Sequence, residues 1–126
     1  MIRILLIEDE EPIRRVLVRI LSEENAQYKI TEAVDGKKGF HLLKNESFDL
    51  VLCDIKMPKM DGIEVLQKAK NSKINTPFIM LTGHGNVETA VEAMKLGAYD
   101  FISKPPDLNR LLTSVRHALE NKYLRS

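Results

Sequence analysis

The sequence has 126 residues, 44% of them hydrophobic, which is the size and apolar content of one domain with a proper core. Nineteen Lys and Arg residues against eighteen Asp and Glu residues give a net charge of +1, so charge predicts neither nucleic-acid binding nor attachment to an acidic surface. The one cysteine, Cys53, excludes an internal disulfide. No apolar run is long enough to cross a bilayer and no signal peptide precedes the first predicted strand, so we expect one cytoplasmic domain over residues 1–126.

The first part of the chain predicts two strands, each followed by a helix. Residues 2–7 are apolar apart from Arg3, and the acidic run 8–11 follows them. Pro12 suits the first turn of a helix whose apolar residues recur at helical spacing: Ile13, Val16, Leu17, Ile20 and Leu21. A second strand is predicted over residues 28–34, and Asp35-Gly36 begins a helix with Phe40 and Leu43 on its inner face.

The middle of the chain predicts two strands that are buried on both faces. Residues 50–53 show no polar alternation, which is typical of a central strand in a parallel sheet, and they lead directly into Asp54. A helix follows from about residue 63 to residue 71, with Ile63, Leu66 and Ala69 on one face. Residues 77–81 form the next apolar strand, which ends at Thr82.

The last part predicts a further helix, a short strand and a final helix. After a flexible break at residues 83–85, an apolar stripe of Val87, Ala90, Val91 and Met94 ends at Gly97, which suits a helix C-terminus. A strand over residues 99–103 ends at Lys104, and Asp107 can cap a helix with an inner face of Leu108, Leu111, Leu112, Val115 and Leu119. Strand and helix alternate about five times, which predicts an α/β domain with a parallel sheet covered by helices on both faces.

Polar residues stand where four of the predicted strands end: Glu8 and Asp9, Asp54, Thr82, and Lys104. Any one of them has an ordinary explanation, and Asp54 by itself could begin a turn or cap a helix. The carboxyl ends of parallel strands, however, converge on one crevice, which favours a common site.

The residue types at these strand ends suggest what the site binds. Three neighbouring carboxylates repel one another unless a divalent cation neutralises them, and oxygen-only ligands favour Mg²⁺, with Mn²⁺ as the alternative. Lys104 suits a phosphate oxygen and Thr82 can donate a hydrogen bond. Together these groups predict a cradle for a phosphoryl group, with a carboxylate left as the nucleophile.

The same residues carry a family resemblance that covers essentially the whole chain. Glu8-Asp9, Asp54 with the following Met57-Pro58-x-Met60-Asp61-Gly62, Thr82-Gly83 and Lys104-Pro105 resemble, in order and spacing, the receiver domain of two-component response regulators. The resemblance implies a flavodoxin-like, doubly wound (βα)5 fold with a five-stranded parallel sheet in the order 2-1-3-4-5.

The resemblance also implies a role for each site residue. Asp54 is then the phosphoacceptor, and Mg²⁺ is held by Asp9, Asp54 and the backbone carbonyl of Lys56, with Glu8 acting through water. Lys104 and Thr82 grip the phosphoryl group, the Lys104-Pro105 peptide is cis, and Phe101 is the aromatic switch that turns inward when Thr82 moves. Phe101 could instead be a core residue. His84 corresponds to a position that tunes access of hydrolytic water, with a solvated loop histidine that has no function as the alternative.

The implied function is that of a signalling switch rather than an enzyme with a separate substrate. Its partners would be a sensor histidine kinase and an effector domain or partner protein, with a phosphorylation-dependent homodimer and no direct contact with nucleic acid or membrane. Pro12, Ile13 and Arg14, beside Pro105 and Pro106, would form the kinase-docking surface. Residues 83–85 and 97–101 look more like those of receivers attached to AAA+ enhancer-binding activators, which are transcription regulators. The chain is then either a stand-alone domain or the N-terminal part of a longer regulator.

Three other functions fit parts of the pattern. A phosphatase of the haloacid dehalogenase type also uses a strand-end aspartate, but it needs a second acid two residues later, where this chain has Lys56. A flavin carrier shares the fold, but the acidic run at residues 8–11 would repel the FMN phosphate. A receiver-like scaffold that is never phosphorylated would not require the complete set of acids with Thr82 and Lys104.

Overall fold

The computed structural model describes residues 1–83 and 86–124, and in this part of the chain five strands alternate with five helices. They are β1 (Ile2–Ile7), α1 (Glu11–Glu24), β2 (Tyr28–Ala33), α2 (Gly36–Asn45), β3 (Leu50–Asp54), α3 (Gly62–Asn71), β4 (Phe78–Thr82), α4 (Val87–Lys95), β5 (Asp100–Ser103) and α5 (Leu108–Leu124). All neighbouring strands are parallel and their order is β2-β1-β3-β4-β5. The predicted fold class is therefore confirmed.

The sheet separates two apolar clusters because alternate residues of a strand point to opposite faces. Leu5 and Ile7 of β1 pack with residues of α2, α3 and α4 on one face, whereas Ile4 and Leu6 pack with residues of α1 and α5 on the other. All five residues of β3 are buried, as expected for a central strand without polar alternation. This double burial holds the end of β3, and hence Asp54, in a fixed position within the fold.

The predicted apolar face of α4 does not pack into the core. Three residues of its stripe are exposed, namely Val87, Val91 and Met94, and the buried residues of α4 are Ala90 and Ala93. Two methyl side chains let the helix lie close to the sheet, and the larger side chains are turned toward the surface. Two further predicted core residues, Val16 in α1 and Leu108 in α5, are about half exposed, at 54% and 49%.

The turn after Asp54 is closed by a tight contact at Gly62. The Gly62 amide donates a hydrogen bond to the Ile55 carbonyl at 2.7 Å, and a Cβ at Gly62 would lie 2.3 Å from the carbonyl oxygen of Asp54. Asp61 caps the following helix, since its Oδ1 accepts from the Glu64 amide at 2.9 Å. Helix α3 therefore begins directly against the end of β3.

We expect Gly62→Ala to lower the free energy of unfolding by about 1–3 kcal/mol, because its methyl group would meet backbone atoms that have no room to move. Urea denaturation of the two proteins measures the difference. Gln67→Ala, at an exposed position of the same helix, is the control and should change stability by less than about 0.5 kcal/mol. Equal stability of Gly62→Ala and wild type would contradict the tight contact.

Candidate functional site

Three carboxylates meet at the carboxyl edge of the sheet. Glu8 and Asp9 follow β1, and Asp54 is the last residue of β3, which is paired directly with β1. The register aligns Ile7 with Cys53, so Glu8 and Asp54 are the next residues along the two strands. One oxygen from each of Glu8, Asp9 and Asp54 lies within 4.8 Å of the others. The convergence expected from the sequence is present in the structure.

Burial makes the ionisation of Glu8 and Asp54 unfavourable. The side chain of Glu8 is fully buried and Asp54 is 4% exposed. Burial is the main cause that raises the pKa of Glu8 to about 7; the hydrogen bond with Lys104 opposes this rise, and the neighbouring Asp54 charge adds to it. Burial likewise raises the pKa of Asp54, although hydrogen bonding to Lys104 works against the increase. The fully ionised cluster therefore needs positive charge beside it.

Lys104 supplies one positive charge from the end of β5. Its Nζ lies 2.9 Å from Glu8 Oε1 and 3.0 Å from Asp54 Oδ2. Burial acts to lower the pKa of Lys104, but the two carboxylates outweigh it and the pKa is raised. The backbone of Lys104 is anchored because its amide donates to the Thr82 carbonyl at 2.8 Å, and the peptide bond to Pro105 is cis, as the resemblance implied.

The acids also fit a hard divalent cation. Asp9 Oδ1 is buried and accepts no hydrogen bond from any residue that the structure describes. A buried anionic oxygen without a donor is costly, and a bound cation would remove that cost. The residue types are carboxylates, which Mg²⁺ prefers over the nitrogen and sulfur ligands typical of zinc. Lys56, two residues after Asp54, has an exposed side chain.

The two predicted switch residues lie on neighbouring strands. Thr82 is the buried last residue of β4, next to β3 and its terminal Asp54. Phe101 lies on β5 and is 37% exposed, so its ring is not buried in the core. The Phe101 backbone is held on both sides, because its amide donates to Asp100 Oδ1 at 2.8 Å and its carbonyl accepts from Arg110 at 3.0 Å. His84 lies outside the described residues.

The side chain of Arg14, a residue predicted to belong to the docking surface, is mostly enclosed by its neighbours. Its guanidinium is turned inward, with 13% of the side chain exposed, and Nη1 donates to the Glu8 carbonyl at 2.9 Å. Nε donates to Glu32 Oε1 at 3.1 Å. A signal was present in the sequence, because Arg14 is three and seven residues before Leu17 and Leu21 and so shares their buried helix face.

A comparison with known protein families decides the assignment. The family model described as the response regulator receiver domain matches residues 4–116. The chain belongs to the response regulator receiver family. Receiver domains are signalling domains of two-component systems. The matched residues include the acidic cluster, the exposed Pro12 and the cis Lys104-Pro105 peptide. Receiver domains work with histidine kinases and effector domains.

Individual relatives agree with the receiver assignment. Regulatory protein AtoC of Escherichia coli is 39% identical over 123 residues, which cover 98% of this chain and 26% of AtoC. Transcriptional regulatory protein FixJ of Rhizobium meliloti is 35% identical, over 92% of this chain and 56% of FixJ. A crystal structure of a receiver domain protein from Clostridium thermocellum superposes with a TM-score of 0.92 at 30% identity, with 100% of both chains covered. The receiver chain thus spans between a quarter and about half of these regulatory relatives.

These results favour the receiver hypothesis over the phosphatase and the flavin carrier, because the match extends over the strand ends that form the site.

Among the helices that the structure describes, none combines the length and apolar character needed to span a membrane.

A pH dependence of stability follows from the burial of Glu8. The folded receiver keeps a proton on Glu8 up to about pH 7, whereas the unfolded chain releases it near the ordinary value of 4.5. With metal chelated, the unfolding free energy should therefore fall as the pH rises between these values, by roughly 3 kcal/mol from this group. Glu8→Gln should flatten the profile measured by urea denaturation.

The control for this prediction is Glu10→Gln, which changes an exposed carboxylate two residues away and should keep the wild-type slope. Parallel profiles for Glu8→Gln and wild type would show that Glu8 does not hold the proton.

Proposed function

We propose that this receiver takes a phosphoryl group from a histidine kinase onto Asp54. The observation that carries the proposal is the convergence of Asp54 with Glu8 and Asp9 within 4.8 Å, with the Lys104 ammonium 3.0 Å from Asp54 Oδ2. Asp54 is the nucleophile, and the buried strand β3 holds it at the carboxyl edge of the sheet. Lys104 is a cation within reach of any group that becomes attached to it.

The transfer leaves the chemistry on the protein itself. One carboxylate oxygen of Asp54 attacks the phosphorus of the kinase's phosphohistidine and the P–N bond breaks. The ring nitrogen that held the phosphorus takes up one proton from water, and the imidazole leaves as the neutral base. An acyl phosphate results. Water later attacks the phosphorus, so inorganic phosphate is released and the Asp54 carboxylate is restored. No separate substrate is turned over.

Lys104 and Thr82 would bind the new group. Lys104 exchanges its contact with an Asp54 oxygen for one with a phosphoryl oxygen, and the Thr82 hydroxyl donates to another. Movement of Thr82 toward the phosphoryl group frees space beneath the partly exposed ring of Phe101. The ring turns inward, and phosphorylation thereby shifts a two-state equilibrium.

We also propose that the site works with Mg²⁺, or with Mn²⁺ in its place. Asp9, Asp54 and the backbone carbonyl of Lys56 would hold the ion, and Glu8 would act through water. The buried oxygen of Asp9 that lacks a donor among the described residues supports this ligand set. When bound, the cation neutralises charge on the oxygens of the phosphoryl group in transfer.

The output of the switch is proposed from the relatives and the resemblance. AtoC and FixJ are named as regulatory proteins, and each is longer than this chain. We propose that the receiver operates in the cytoplasm and controls an effector domain or partner protein in transcription, as receivers of AAA+ activators do. A homodimer that forms on phosphorylation is part of this proposal.

The acceptor is tested by measuring intact-protein mass after incubation with acetyl phosphate and Mg²⁺. Wild type should gain one phosphoryl group, and Asp54→Asn should gain none because an amide is a far weaker nucleophile than a carboxylate. A chelator should abolish the gain. Asp107→Asn, outside the crevice, is the control and should gain mass like wild type; a wild-type gain in Asp54→Asn would assign the acceptor elsewhere.

The role of Lys104 is tested separately from that of the acceptor. Lys104→Ala should still be loaded by acetyl phosphate, but it should lose most of the conformational response, because the phosphoryl group then has no cation to draw β5 toward it. The response is measured as NMR shift changes of the Thr82 and Phe101 amides on addition of beryllofluoride. Lys95→Ala, exposed in α4, should respond fully. An unchanged response in Lys104→Ala would exclude Lys104 as the link.

A further inference from the structure

Arg14 connects three elements behind the acidic cluster. It belongs to the first turns of α1, and its guanidinium donates to the carbonyl of Glu8 at the end of β1 and to Glu32 in β2. Within the turn, the Glu10 amide donates to Glu8 Oε2 at 3.2 Å, and the Glu8 amide donates to the Ala33 carbonyl at the end of β2 at 3.0 Å. The short turn that carries Glu8 and Asp9 is thus tied to α1 through Arg14 and to β2 through Ala33.

The place of this arginine is unexpected on electrostatic grounds. A permanent cation next to a proposed cation site repels the ion, and the repulsion is only partly screened because 13% of the Arg14 side chain is exposed. Glu32 offsets the charge through its ion pair with Nε at 3.1 Å. With its charge offset, the main contribution of Arg14 at this site is the hydrogen bond to the Glu8 carbonyl. An arginine supplies this bond better than other side chains, because its planar guanidinium can donate to Glu8 and to Glu32 at the same time.

We propose that Arg14 is a positioning residue for the metal-binding acids. By holding the Glu8 carbonyl it fixes the peptide that joins Glu8 to Asp9, and so it sets where the unpaired Asp9 oxygen points. The inference rests on the proposed function, because it assumes that Asp9 and Asp54 bind the divalent cation. Outer partners that orient metal ligands commonly change metal affinity by about 10- to 100-fold when they are removed.

Charge and positioning predict opposite signs for the loss of Arg14. If the arginine acts through its charge, then removing it should strengthen the binding of Mg²⁺. If it acts by holding the Glu8 carbonyl, then removing it should weaken the binding although a repulsive charge has gone. The direction of the change therefore separates the two effects without any assumption about their size.

The experiment measures the dissociation constant of Mg²⁺ by isothermal titration calorimetry, with no phosphodonor present. Arg14→Met keeps the apolar part of the side chain and removes the charge and the donors, and we expect it to weaken Mg²⁺ binding about tenfold. Arg15→Met removes the same charge from the neighbouring residue, whose side chain is 77% exposed, and should bind Mg²⁺ at least as tightly as wild type. Equal or tighter binding by Arg14→Met overturns the proposal, even where its thermal stability is lower.

A second variant keeps the test decisive where Arg14→Met does not fold. Arg14→Lys retains the charge but cannot hold the Glu8 carbonyl and Glu32 with one planar fork, so it should bind Mg²⁺ several-fold more weakly. Wild-type affinity in Arg14→Lys overturns the positioning role.

Failure of the proposed function gives a different result. Wild type would then bind neither Mg²⁺ nor Mn²⁺, and the inference would fall with it. Wild-type binding that is lost in Asp54→Asn but kept in Arg14→Met overturns the inference and leaves the proposed metal site intact.

Discussion

The crowding of three acids at the edge of the sheet is the constraint on which the rest of this receiver depends. Two of the acids are buried, and burial of like charges raises the free energy of the folded state. The fold offsets that cost with Lys104, which approaches from β5 and contacts both Glu8 and Asp54. Because one lysine holds both acids, a change in the charge on Asp54 must alter the contacts of that lysine. Any group added to Asp54 competes with the carboxylates for the same ammonium.

The scaffold explains why the acids stay together in spite of their repulsion. Strands β1 and β3 are adjacent, and nearly all of their side chains are enclosed between helices on the two faces. The backbone positions that carry Glu8 and Asp54 could separate only if these strands moved apart, which would expose the central core. Hydrophobic burial on both faces of the sheet thus supplies the free energy that offsets the repulsion between the acids at its carboxyl edge.

The features that can be predicted from the sequence are those with a local signal. The apolar run of residues 50–53 indicates a doubly buried strand, and the strand-end positions of Glu8, Asp54, Thr82 and Lys104 are enough to place these four residues at one edge of a parallel sheet. Helical spacing places Arg14 on the face of α1 that Leu17 and Leu21 share, but it does not identify the partners of the side chain. Those partners, Glu8 after β1 and Glu32 in β2, lie 6 and 18 residues away, and only the fold brings them to Arg14. The exposed side of α4 escapes prediction for a related reason: helical spacing shows that an apolar stripe exists, and packing against the sheet decides which residues face inward.

The anchoring of α4 by alanines has a mechanical consequence. Ala90 and Ala93 have no side-chain torsions to lock and no large groups to interdigitate with the sheet, whereas β3 is enclosed by bulky neighbours on both faces. Sliding or rotating α4 by a fraction of a turn would therefore forfeit little apolar contact, and the exposed Val87, Val91 and Met94 would exchange one wet environment for another. Displacement of this helix along the sheet would therefore cost the fold little apolar burial.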